Sequence, residues 1–95
     1  MSTYLLVDLD VHDPATFASY RDRVADFIAR HGGEYLARGG ATVVHEGDFE
    51  PHRVVLFRFP DSESIERLYA DEEYLALAKI RKASAHTIAF SIEGL

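Results

Sequence analysis

The chain has 95 residues, with 16 acidic and 10 basic side chains and a formal net charge of −6. At this length one domain fits and buries roughly 60–65% of its unfolded surface. The acidic balance excludes a nucleic-acid backbone or an anionic membrane as the main partner, since both need a basic face. Cysteine is absent, as are Trp, Asn and Gln. This removes disulfides, thiolate catalysis and thiolate metal sites. The available chemistry is that of carboxylates, His, Tyr, Arg, Lys, Ser and Thr. The N-terminal stretch lacks a basic leader and no apolar run approaches the ~20 residues of a membrane span, so a cytoplasmic protein without membrane contact is expected.

In chain order, Tyr4–Leu9 alternates as a strand, with Leu5, Val7 and Leu9 on one face. Asp13-Pro14 starts a helix, Asp as N-cap and Pro at N1. Phe17, Tyr20 or Arg21, Val24, Phe27 and Ile28 follow at helical spacing, predicting one amphipathic helix of about five turns. His31-Gly32-Gly33 stops it, with Gly in the left-handed position and His complementing the dipole. Glu34–Arg38 is a second strand. Gly39-Gly40 interrupts it with a bulge or bend, and it resumes over Thr42–His45. Glu46–Pro51 is a polar turn. His52–Phe59 is a strand with apolar residues on both parities, as in a central strand covered on both sides. Asp61 caps a second helix with an Ile65, Leu68 and Tyr69 stripe, and Asp71 caps a further one through Tyr74, Leu77 and Arg81. Thr87–Ile92 is the last strand, with Ile88, Phe90 and Ile92 on one face.

The order β-α-β-β-α-β predicts an α+β, ferredoxin-like fold: a four-stranded antiparallel sheet with its helices on one face. No linker or repeat appears, so a single domain is expected to fill residues 1–95. The helices cover one sheet face only, while apolar residues supply both. A second copy packed sheet against sheet, a homodimer, is the expected cover.

Tyr35-Leu36-Ala37-Arg38-Gly39-Gly40, then Glu46-Gly47-Asp48, Arg53-Val54-Val55, Phe59-Pro60, Glu73-Tyr74 and Arg81 run in an order and spacing that resembles the DUF1330 family over nearly the whole chain. The family resembles the dimeric α+β barrel superfamily, which holds small antibiotic-biosynthesis monooxygenases and muconolactone isomerases. The resemblance implies a ferredoxin-like protomer, a homodimer, and a cleft between sheet and helices that works without metal or organic cofactor. It assigns no reaction. Where the family commonly carries Trp after its Glu-Gly-Asp step, this chain has Phe49, which stacks but offers no indole N–H.

Candidate residues follow from chemistry and from this motif. Arg38 suits an anion or enolate clamp, with Gly39 and Gly40 admitting a ligand to the backbone; otherwise it pairs with an acid such as Glu46. Tyr20 and Tyr74 are the preferred phenols for orienting a ligand or acting as general acid, and Tyr35 joins them as a ligand contact; at helical spacing an aromatic also serves as plain core. His45 is a candidate base, facing His52 if the two flank a hairpin, though adjacent His45 and Glu46 point to opposite faces. Glu46, Phe49, Arg53 and Arg81 complete the ligand-binding candidates. Asp8, Asp10, His12 and Asp13 have the composition of an oxygen-ligand metal site, but Asp13 is used as a cap, so no metal site is expected. The expected function is a cofactor-independent small-molecule enzyme, of isomerase or monooxygenase type, acting on a small anionic or enolisable substrate. The alternatives are a non-catalytic ligand-binding homodimer and, last, a subunit docking through the acidic helix at 61–73.

Overall fold

A computed structural model describes all 95 residues. Four strands, β1 (Thr3–Val11), β2 (Glu34–Arg38), β3 (Arg53–Phe59) and β4 (Ala85–Glu93), form one antiparallel sheet in the order β2-β3-β1-β4. Four helical segments, α1 (Pro14–Arg21), α2 (Val24–Arg30), α3 (Ser62–Ala70) and α4 (Glu72–Ser84), complete the α+β, ferredoxin-like fold. Leu5, Val7 and Leu9 of β1 and Val55, Phe57 and Phe59 of β3 meet Phe17, Val24, Ile28, Leu68 and Leu77 of the helices in a single core.

The caps are where local chemistry requires them. Asp13 accepts from Thr16 N–H and Oγ1–H, Asp61 from Ser64 N–H and Oγ–H, and Asp71 from Glu73 and Tyr74 N–H. The single five-turn first helix is corrected: it breaks into α1 and α2 at Asp22-Arg23. There the Arg23 N–H turns to Tyr20 O at 3.1 Å, tightening one turn. The apolar stripe survives the break.

The second correction concerns β2. The bulge lies at Leu36, not at the glycines: Tyr35 pairs with Phe57, and Ala37 with Leu56. No strand resumes at Thr42–His45. Gly39, at φ +68°, donates its N–H to Val54 O at 2.8 Å and turns the chain out of the sheet. Residues 40–50 then form an exposed loop. His45 and His52 therefore do not face each other across a hairpin. His52 instead binds Asp8 of β1, giving its backbone N–H to Oδ1 at 2.7 Å, with ring Nδ1 3.1 Å from Oδ2.

The face away from the helices carries Leu6, Val54 and Leu56, half-buried, beside Ile88, Phe90 and Ile92, which are 47%, 58% and 60% exposed.

Candidate functional site

Between sheet and helices lies a cleft of about 310 Å3. Its floor follows from sheet register. Period-two alternation sends Leu5, Val7, Leu9, Arg53, Val55 and Phe57 toward the helices. Tyr35 and Arg38 are three apart and would point to opposite faces of a regular strand. The extra residue at Leu36 restores the phase, so both reach the cleft. The Arg38 guanidinium then lies 4.6 Å from the centre of the Tyr35 ring. Gly39 makes room beside them: a Cβ there would lie 2.8 Å from Arg53 Nη1.

The roof is phenolic. Tyr20 of α1 and Tyr74 of α4 place their hydroxyls 3.2 Å apart in the interior, and Tyr69 meets Tyr74 edge to face at 5.8 Å. One hydroxyl of the Tyr20–Tyr74 pair donates to the other, which leaves a second O–H for a ligand. Burial pushes the Tyr20 pKa far above the ordinary phenol value, and neighbouring Tyr74 adds to the rise. Burial also raises Tyr35 and Tyr69, opposed by Arg38 and Arg81 respectively. These phenols stay protonated at neutral pH and act as donors, not bases.

Four guanidiniums line the cleft, Arg21, Arg38, Arg53 and Arg81, against one carboxylate, Asp22. Arg21 pairs with Asp22 at 3.2 Å. The other three have no carboxylate within 4.0 Å: Glu46 does not reach Arg38, and Glu73 approaches Arg30 instead. A cationic cleft in a chain of net charge −6 concentrates small anions.

The structure thus brings together Arg38, Tyr20, Tyr74, Tyr35, Arg53 and Arg81. Gly39 borders them through Arg53. It does not bring His45, Gly40, Glu46 or Phe49 into the cleft. All four lie on the exposed loop, because the turn at Gly39 leads the chain away from the sheet. No histidine lines the cleft. The sequence reading missed Arg21 and Asp22 at the mouth. Arg21 closes α1 and Asp22 is its C-cap, and one-dimensional periodicity carries no signal for a helix end at this point.

A four-stranded antiparallel sheet in β2-β3-β1-β4 order with an apolar cleft beneath its helices defines an α+β, ferredoxin-like protein. Over nearly its full length the chain matches a protein of unknown function from Rhodopseudomonas palustris at 16% identity, covering 99% of this chain and 82% of that one with a TM-score of 0.81. SnoaB, a cofactor-independent oxygenase from Streptomyces nogalater, matches at 23% identity over 99% and 93% of the two chains, TM-score 0.71. A proposed antibiotic-biosynthesis monooxygenase from Caulobacter crescentus matches at 14% over 99% and 90%, TM-score 0.64. No curated protein matches the sequence. The chain belongs to the DUF1330 family, a domain of unknown function, whose model matches residues 2–95.

Proposed function

We propose that the protein is a cofactor-independent small-molecule enzyme, of oxygenase or isomerase type, acting on a small, anionic, enolisable substrate with an apolar body. The observation that carries this reading is the pairing of an apolar cleft with three guanidiniums that have no carboxylate partner. Arg38 and Arg53 hold the developing oxyanion at the β2–β3 end of the floor. The free O–H of the Tyr20–Tyr74 pair donates to it from the roof. Asp22 is the one carboxylate in the cleft and takes the role of proton acceptor. The enolate so formed either regains a proton at another carbon, or passes an electron to dioxygen and recombines with the resulting superoxide to a hydroperoxide, which loses water to leave a carbonyl. The substrate supplies the reducing electrons, as the description of SnoaB as cofactor-independent suggests by analogy of fold.

The reading includes a homodimer closed over the open sheet face, supported by the exposed Ile88, Phe90 and Ile92. It also includes a cytoplasmic setting, for which the acidic, cysteine-free composition is the supporting observation. No helix is long and apolar enough to cross a membrane. A second reading, a ligand-binding dimer without catalysis, is favoured by one observation: Asp22 is salt-bridged and no histidine backs it up.

The test uses 1-hydroxy-2-naphthoate as probe, with calorimetry for binding and an oxygen electrode and absorbance for turnover. Arg38→Ala and Arg53→Ala should each weaken binding by about 10-fold or more, as loss of a charge-assisted hydrogen bond of about 1.5–3 kcal/mol implies, while the circular dichroism spectrum is unchanged. Unchanged affinity in both variants would remove the anion clamp. Binding without product across a panel of enolisable acids would select the second reading.

A further inference from the structure

Residues 40–50 leave the sheet at the Gly39 turn and are exposed throughout. In the protomer no backbone group of residues 40–51 is hydrogen-bonded to another. Yet Thr42-Val43-Val44-His45 has the β-branched composition of a strand. Val43, Val44 and Phe49 are large apolar side chains left in water. The stretch Glu46–Glu50 adds three carboxylates and no basic side chain.

A second bare element lies at the other side of the sheet. β4 pairs with β1 alone, so no strand takes up the N–H and C=O groups of its outer edge. Between the first half of β4 and the last turn of α4 is an open hollow of about 370 Å3, bordered among others by Tyr69, Lys82, His86 and Thr87. On β4 the residues that face this side, Ala85, Thr87 and Ala89, are small. No carboxylate borders the hollow, whereas the exposed Lys82 and His86 do. An acidic, apolar loop without backbone partners and a basic strand edge with a gap beside it are complementary.

We propose that Thr42–His45 is an exchanged arm: in the homodimer read above, on which this part rests, it adds to the outer edge of the second copy's β4 as a fifth strand. Symmetry carries the argument. β2 and β4 are opposite edges of one sheet. A two-fold axis parallel to the strands sets the β2 edge of each copy over the β4 edge of the other and keeps every residue at its own level along the strands. An axis across the strands would set β2 over β2 and leave both β4 edges bare. Arg38 pairs with Val55, Val55 with Val7 and Val7 with Ala89, so the arm starts level with Ala89 and runs toward the Ala85 end, beside the hollow. Three antiparallel pairings separate β2 from β4, so the arm meets the second copy's β4 antiparallel. Stacked sheets lie roughly 10 Å apart and an extended residue spans about 3.4 Å, so the three residues Gly40–Thr42 make the crossing. Val43 and Val44 then point to opposite sides. One fills the hollow over the small residues of β4, and the other joins Ile88 and Phe90 between the sheets. Glu46 follows near Lys82.

The experiment mixes 15N,2H-labelled and 13C-labelled full chain in urea, refolds the mixture and records nuclear Overhauser contacts between unlike copies. Contacts from the amides of Thr42–His45 to side chains of Ala85–Ala89 are expected, together with slow hydrogen exchange in the arm. Sedimentation velocity then compares Val43→Pro and Val44→Pro with wild type. Successive N–H groups of a strand point to opposite sides, so one of the two prolines removes a bond to the second copy. That variant should weaken the dimer about 10-fold or more, since the loss occurs twice per dimer. Both variants keep the wild-type circular dichroism spectrum, because the arm lies outside the protomer's own sheet. A dimer whose cross-copy contacts are confined to the open sheet face, or one that neither proline weakens, overturns the arm and leaves the homodimer standing. A monomeric wild type overturns both.

Discussion

Asp71 ties three parts of the molecule together. Its Oδ1 caps α4, and its Oδ2 meets His31 Nε2 at 2.9 Å and Arg30 Nη1 at 3.1 Å, at the end of α2. These partners, the His31 hydrogen bond first, hold its pKa down at about 2, below the ordinary 3.8. A carboxylate with a depressed folded-state pKa stabilises the fold above its unfolded value, and the contribution is lost as pH falls through the folded one. The melting temperature should therefore drop between about pH 4 and pH 2. Asp71→Asn should flatten that part of the profile and lower Tm at neutral pH by a few degrees, because the amide still caps α4 but carries no charge for His31 and Arg30. A pH–Tm profile identical to wild type would show that the Asp71 charge carries no weight. His52 runs the opposite way. The Asp8 hydrogen bond raises its pKa above 6.5, so its contribution is complete below pH 6.5 and is lost as pH rises through the folded value. In Asp8→Asn the His52 ring, followed by NMR, should titrate at a lower pH than in the wild type.

At the scale of the element, β2 decides which side chains reach the cleft. Five residues carry a bulge at Leu36, which brings Tyr35 and Arg38 to one face. Deleting Leu36 should leave a regular strand in which Tyr35 and Arg38 are two apart and both still face the cleft. The Tyr35–Arg38 stack and the probe affinity should then be retained, with the far-ultraviolet spectrum unchanged; a several-fold loss of affinity would show that the bulge itself shapes the cleft. Gly39→Ala attacks the same end of the strand. It places a Cβ at φ +68° and 2.8 Å from Arg53 Nη1, so it should cost about 1–2 kcal/mol in urea unfolding and displace Arg53 from the cleft. The sequence marks an irregularity near these residues through its paired glycines. It does not locate the bulge, because a bulge is a property of the pairing with β3.

For the whole molecule, the open sheet face carries an exposed apolar row. Ile88, Phe90 and Ile92 on β4 adjoin Leu6 on β1, with Phe90 paired directly to Leu6. In the proposed homodimer Phe90 is buried against the partner copy. Phe90→Asp should then give a folded monomer by sedimentation velocity where wild type sediments as a dimer. A wild-type monomer at micromolar concentration would overturn the proposed dimer.

Strand alternation, three Asp caps and the glycine stop at His31-Gly32-Gly33 are local, and local sterics and hydrogen bonding determine them. For that reason the β-α-β-β-α-β order and the ferredoxin-like sheet are legible in the chain alone. The family motif likewise marks Arg38, Arg53, Tyr74 and Arg81. Tertiary structure alone decides which candidates meet. Tyr20 reaches Tyr74 across 54 positions, His52 turns to Asp8 rather than to His45, and the loop at 40–50 leaves the sheet with Glu46 and Phe49. Such pairings depend on register and packing between distant segments, which the order of residues along one strand or one helix does not encode.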